Sequence, residues 1–327
     1  MEDARFVVIG GGTGISTMLV GLKRFTEEIT AIVTMADDGG GSGKLRREKG
    51  ILPPGDIRAC LVALANTEPL LENLLKYRYT EGDLKGQNLG NLLITALIDI
   101  YGSFEEAIKK LSQVLKITGT VLPVTTEDIF LQAKLSNGEI IRGESYIPQY
   151  ASKKNLRIEE MNIVPKETKV NQDCIKAIDK ADVLVIGPGS LYTSLIPNLK
   201  IQGLLEAIQK SKTPLIYIAN IMTQVGETED YNLLDHIEAL EKHGLKDRIQ
   251  YVVVNTTKID QRLMDKYYDK SKVKPVFFDK KMFEKIEDKG IKVEIGDFLQ
   301  ENHSSIRHNG LLLSQRLLKL SDILRNV

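Results

Sequence analysis

A doubly wound, mostly parallel α/β sheet of Rossmann-like type is predicted for this chain of 327 residues. Three observations carry that prediction. Strand-type apolar runs, Phe6–Ile9, Ile29–Met35, Asp182–Ile186, Pro214–Ala219, Tyr251–Val254 and Lys274–Phe278, alternate with helix-patterned segments such as Tyr231–His243 and Asp260–Tyr268. Glycine-rich or polar loops follow directly on four of the strands. The hydrophobic content of 42% is enough to bury a substantial core in one α/β domain over residues 1–327.

The first element is the most informative. Phe6-Val7-Val8-Ile9 runs into Gly10-Gly11-Gly12-Thr13-Gly14, and a helical pattern with Ile15, Met18, Leu19 and Leu22 follows. Strand, turn and helix N-terminus in that order form a cradle for phosphate. The first-turn amides lack partners and favour an anion, while glycine permits positive φ and close approach of a ligand. The amides of Gly11, Gly12, Thr13 and Gly14 are therefore candidate ligand contacts. A purely structural turn is the alternative: Ile15 stands where the dinucleotide fingerprint has its third glycine, and no Gly-Lys-Ser/Thr follows.

The second strand, Ile29–Met35, ends in Ala36-Asp37-Asp38-Gly39-Gly40-Gly41-Ser42-Gly43-Lys44. Asp37 and Asp38 could hold Mg²⁺ or accept hydrogen bonds from ribose hydroxyls, against the plainer reading of solvated acids in a polar loop. From Asp56 to Lys116 the pattern is nearly all helical, with apolar groups at Leu61–Leu75, Leu92–Leu97 and Ala107–Leu115, read as a helical subdomain at about 56–117 beside the sheet. From Phe130 to Ser145 apolar and polar residues alternate around Asn137-Gly138, a signal for a small β-hairpin excursion.

Two later strands repeat the loop pattern. Asp182–Ile186 opens into Gly187-Pro188-Gly189-Ser190-Leu191-Tyr192-Thr193-Ser194, where Gly189, Ser190 and Thr193 suit a phosphate. Pro214–Ala219 is followed by Asn220-Ile221-Met222-Thr223-Gln224, from which Asn220 and Thr223 are candidate contacts. Open parallel sheets bind ligands beyond the carboxyl ends of their strands, so four such loops imply one shared crevice.

Composition narrows the function classes. Lysine plus arginine equal aspartate plus glutamate at 44 each, which gives no overall nucleic-acid or membrane-binding charge bias. A strand beginning by residue 5 and a longest apolar stretch, Leu92–Tyr101, far short of a membrane span make a cytoplasmic protein the expectation. Cys60 and Cys174 lack metal or redox spacing and are expected to be buried thiols. His236 and His243, too far apart for joint ligation, are expected to be solvated or hydrogen-bonded helix residues.

Several polar residues remain. Asp56 is expected to cap the helix that follows Pro53-Pro54-Gly55, and Arg58 either grips a phosphate or lies at the surface. Gly86-Gln87-Asn88-Leu89-Gly90-Asn91 is a capping turn or a recognition loop. Ser304-Ser305-Ile306-Arg307-His308-Asn309-Gly310 leads into the final helix, and Arg307 could pair with a pyrophosphate. Tyr267 and Tyr268 could stack on a base but suit ordinary packing better.

In this order the glycine run, the Asp37-Asp38 loop, Leu52–Arg58, Gly187–Ser194 and Asn220–Gln224 resemble the YvcK branch of the CofD/YvcK family, over essentially the whole chain. The resemblance implies a CofD-like fold and a cytoplasmic bacterial gluconeogenesis factor. Its ligand would be a UDP-sugar such as UDP-N-acetylglucosamine, and its role support of cell shape and envelope synthesis during growth on gluconeogenic carbon. Arg58, Asn91 and Arg307, read above as possible contacts, complete the candidate ligand-binding set. No cofactor is required under this reading, and a homo-oligomer and a regulated protein partner in envelope synthesis are further expectations. The CofD branch implies an alternative: a Mg²⁺-dependent transferase of the 2-phospho-L-lactate type, with Asp37 and Asp38 as metal ligands. Two departures from the branch's usual pattern stand out, Gly41 for a serine and Gln87-Asn88-Leu89 for His-Ser-Phe. A nicotinamide-dependent oxidoreductase fits less well, for want of the third glycine and a hydride-transfer partner.

Overall fold

In the computed structural model, which describes residues 3–262, 264–265, 273–302 and 305–325, twelve strands are assigned. They are β1 (Phe6–Gly10), β2 (Ile29–Val33), β3 (Thr120–Pro123), β4 (Phe130–Leu135), β5 (Ile140–Arg142), β6 (Ile158–Val164), β7 (Val183–Ile186), β8 (Leu215–Ile218), β9 (Ile249–Asn255), β10 (Lys292–Gly296), β11 (Leu299–Asn302) and β12 (Ser305–His308). Seven of them form the main sheet in the order β10-β9-β8-β7-β1-β2-β3, with every pairing parallel. The central strands β1, β7 and β8 are buried along their whole length, as continuous apolar runs covered on both faces must be. From β1 the chain winds outward through β2 to β3, then returns to β7 and winds the other way. The order therefore reverses between β1 and β7, where Phe6 is flanked by Ile29 on one side and Val183 on the other.

Helix α1 (Gly12–Leu22) follows β1, α2 (Gly40–Lys49) follows the acidic loop, and α3 (Gly55–Leu64) packs on α1. Three more helices, Pro69–Lys76, Leu89–Tyr101 and Phe104–Leu115, complete the helical stretch. The last two start on side-chain caps: Asn88 accepts from the Asn91 amide, and Ser103 from that of Glu106. Ala107, Ile108, Leu111 and Leu115 form the buried stripe of the helix Phe104–Leu115. The final helix, Gly310–Arg325, lies against α1.

The expected hairpin is present as β4–β5, and β6 pairs with the other edge of β4 to make a three-stranded antiparallel sheet. One expected strand is not formed. Lys274–Phe278 makes only single bridges, Met222 to Pro275 and Asn232 to Phe277, since Pro275 lacks the amide a ladder needs. The sheet edges are instead β3 and β10, one short and the other half polar. Of the helix expected over Asp260–Tyr268, residues 261–262 and 264–265 are helical; Tyr267, Tyr268 and Ser304 lie outside the described residues. Cys60 and Cys174 are buried free thiols. His236 and His243 are buried rather than solvated, and each ring Nδ1 bonds a carbonyl one turn back, on Asn232 and Ala239. No helix among the described residues is long and apolar enough to cross a membrane.

Candidate ligand site at the sheet reversal

A cavity of about 270 Å³ opens beyond the carboxyl ends of β1, β7 and β8. Thr13, Gly14 and Thr17 of α1 form one wall, Gly189 and Ser190 a second, Asn220 to Gln224 a third, and Ile306, Arg307 and His308 of β12 the fourth. The structure thus brings together seven expected residues: Thr13, Gly14, Gly189, Ser190, Asn220, Thr223 and Arg307. A larger cavity of about 500 Å³ shares Asn220 and Ile221 with the first and continues toward Asn255, Leu233, Val276 and Phe278.

The glycine run supplies close approach but not the positive φ expected of it. None of its glycines has positive φ. Instead, a Cβ on Gly14 would lie 2.1 Å from the Pro188 carbonyl oxygen, and one on Gly12 would lie 2.5 Å from the Asp56 Cα. The β1 and β7 turns touch backbone to backbone, and only glycine permits that approach.

Gly11 and Gly12 do not line the cavity. The Asp56 carboxylate accepts the Gly12 amide hydrogen, so Asp56 caps α1 rather than its own helix, whose N-cap is Pro54 without a side-chain bond. Burial pushes this carboxyl up, the Gly12 amide pulls it down and nearby Asp37 raises it again, for a net value of about 6.

Asp37 and Asp38 have diverged in role. Asp37 Oδ1 accepts from the Gly39 amide at 2.9 Å. Asp38 is committed to a different segment: Oδ2 accepts from the Glu144 amide at 2.8 Å, and Oδ1 from the Ser145 amide at 2.9 Å and from its hydroxyl. Glu144 is pushed well up, first by burial and then by Asp37, Asp56 and Asp38. Among the described residues no group of three or more His, Cys, Asp or Glu side chains is arranged to hold a metal ion. A protein-only Mg²⁺ cage is therefore a poor fit, and an ion here would draw most of its oxygens from a ligand's phosphates and water.

Three further expected contacts are turned inward. The Thr193 hydroxyl donates to Glu227 Oε1 at 3.0 Å, and the amides of Tyr192 and Thr193 donate to Glu227 Oε2 at 3.1 and 3.2 Å. Burial raises the Glu227 carboxyl to about 7, against the pull of those three donors. Gln224 of the same loop donates to Ser190 Oγ at 2.6 Å, so two residues of the loop after β8 clasp the turn after β7. Arg58 donates its Nε to Asn91 Oδ1 at 2.9 Å, and Asn91 reaches Ser42 Oγ at 3.3 Å; neither Arg58 nor Asn91 lines the cavity. Sequence reasoning missed Glu227, Glu144, Thr17 and His308. A glutamate inside an otherwise uncharged stretch of the Asn220–Thr228 loop was the available signal for the first.

The two departures from the family pattern meet in space. A Cβ on Gly41 would lie 3.0 Å from Gln87 Oε1, a buried oxygen without a partner among the described residues. The glutamine fills room that glycine leaves.

Known proteins bear on this geometry. The family model described as 2-phospho-L-lactate transferase CofD matches residues 6–299. The chain is 50% identical over 320 residues to a protein of Thermoanaerobacterium thermosulfurigenes, covering 98% of each. It is 43% identical to the gluconeogenesis factor of Halalkalibacterium halodurans, covering 98% of this chain and 97% of that one. A crystal structure of a UPF0052-family protein from Bacillus halodurans superposes with a TM-score of 0.91 at 43% identity, over 97% of this chain and all of the other. With the sheet order, the touching glycine turns and these matches in agreement, the chain belongs to the CofD/YvcK family, on its YvcK branch of gluconeogenesis factors.

Proposed function

We propose that this protein binds a UDP-sugar, UDP-N-acetylglucosamine or a close relative, and acts as a non-catalytic cytoplasmic regulator of envelope synthesis and cell shape during growth on gluconeogenic carbon sources. The observation that carries the reading is the pair of adjoining cavities. The smaller sets the N-terminal turn of α1 (Thr13, Gly14), Ser190 and the exposed Arg307 around one space, a donor set suited to a pyrophosphate. The larger, with Asn255 and the apolar Leu233, Val276 and Phe278, has room and surface for a ring. Among the described residues neither cavity is lined by a carboxylate that could serve as general base. Self-association and a regulated protein partner belong to the same proposal.

The test is isothermal titration with UDP-N-acetylglucosamine, with and without Mg²⁺, and with NAD as control. Metal-independent binding that leaves the sugar nucleotide intact supports the regulator, and failure to bind any UDP-sugar at millimolar concentration refutes it. One observation favours a second reading, a Mg²⁺-dependent transferase acting on a nucleotide diphosphate. Asp37 lies close enough to repel both Asp56 and Glu144, and burial together with that repulsion raises the latter two, a charge a bound cation would offset. Strictly Mg²⁺-dependent binding with slow consumption of the ligand would select it.

A further inference from the structure

His308 is 7% exposed, lines the smaller cavity beside Arg307, and sits at the end of β12. Its ring is hydrogen-bonded to the backbone of Ala219. The Ala219 amide already donates to the Val253 carbonyl at 3.0 Å in the sheet. The ring must therefore donate to the Ala219 carbonyl, and the nitrogen that does so carries the proton. Nε2 has no partner among the described residues, which leaves it as a bare lone pair. Burial also pushes the imidazole down to about 4, so it stays neutral in the physiological range.

Two more acceptors in the same cavity are unpartnered among the described residues, Asn220 Oδ1 and Gln224 Oε1. A phosphate brings only acceptors and cannot satisfy them. A hydroxyl or an N–H can, and a buried acceptor left without one is costly.

We propose that His308 reads a hydrogen-bond donor on the non-phosphate part of the ligand, a ribose hydroxyl or the N3–H of a pyrimidine, through the Nε2 lone pair. The proposal rests on the nucleotide reading above. Arg307 and His308, neighbours on one strand, then divide the ligand between them: charge for the pyrophosphate, a lone pair for the nucleoside.

The experiment titrates the full chain and its His308→Phe variant with UDP, 2′-deoxy-UDP, 3′-deoxy-UDP and CDP. In CDP a lone pair replaces the N3–H. Wild type should bind one of the three analogues on the order of 10- to 100-fold more weakly than UDP, and the variant should bind UDP and that analogue equally. A deoxy analogue would identify the ribose as the source, and CDP the base. A merely structural histidine would weaken all four ligands alike when replaced. In wild type labelled at histidine, the Nε2 resonance should move on adding UDP and stay in place with inorganic pyrophosphate, a readout that needs no variant. Equal affinities across the series, discrimination that survives in His308→Phe, or an unmoved resonance overturns the proposal while UDP binding stands. Absence of any UDP binding brings down the nucleotide reading and this proposal together.

Discussion

Asp56 and Gly12 belong to different helices, yet the carboxylate of the first accepts the amide hydrogen of the second, and the two backbones pack so closely that a Cβ placed on Gly12 would lie 2.5 Å from the Asp56 Cα. An internal acid thus occupies the outermost amide of α1, where an anion would otherwise sit. Thr13 and Gly14, next along the helix, line the cavity instead.

Stability should depend on pH through this pair. The ordinary value of an aspartate is 3.8, and in the fold Asp56 lies at about 6. Between those values the folded protein holds a proton that the unfolded chain has released, so stability falls as pH rises through the window. Asp56→Asn keeps an oxygen for Gly12 and removes the charge. Melting temperatures recorded from pH 4 to pH 7 should decline less steeply in the variant, and two parallel curves would refute the assignment. Glu144, also raised, adds a fall of the same sign at higher pH.

Removing the buried carboxylate of Glu227 strands three donors, the Tyr192 and Thr193 amides and the Thr193 hydroxyl. Glu227→Ala should cost about 2–4 kcal/mol of unfolding free energy, measured by urea titration. A loss within experimental scatter would mean the clasp contributes nothing.

The adjacent aspartates should separate cleanly. Asp38→Ala breaks the bonds to Glu144 and Ser145 and should lower stability by roughly 1–3 kcal/mol. Asp37→Asn keeps an acceptor for Gly39, so its melting temperature should match wild type, and any influence of Mg²⁺ on ligand binding should disappear. Equal destabilisation by the two changes would contradict the division of roles.

Arg307 is exposed at the cavity rim, so Arg307→Ala should leave the melting temperature unchanged. Affinity for UDP-N-acetylglucosamine should fall about 10-fold or more, as loss of a charged hydrogen bond to a phosphate implies. Unaltered affinity would remove Arg307 from the site.

The sheet's centre was readable because β1, β7 and β8 are uninterrupted apolar runs ending in conspicuous loops. Its edges were not: β3 has four residues, and β10 reads Lys-Val-Glu-Ile-Gly, with too little apolar content to stand out. Loops could be assigned to the crevice, but not the direction of each side chain within them. Thr193 and Asp38 look like ligand groups in the sequence, and their partners Glu227 and Ser145 lie 34 and 107 residues away. Asp56 was misassigned because its own helix start is nearer in sequence than Gly12 is. His308 lacked any signal, since its tautomer depends on a sheet bond made by Ala219.

The three-stranded sheet β4–β5–β6 is anchored at both ends, and on opposite sides of the reversal point. Near β2 it is bonded through Glu144 and Ser145 to Asp38. Toward β9, the Met161 amide donates to His243 Nε2 at 3.2 Å and Lys242 donates to the Glu159 carbonyl at 2.7 Å. What began as a hairpin excursion thereby joins the loop after β2 to the helical segment that leads into β9. A substitution along this small sheet therefore pulls on both halves of the parallel sheet at once, although none of its residues lines either cavity.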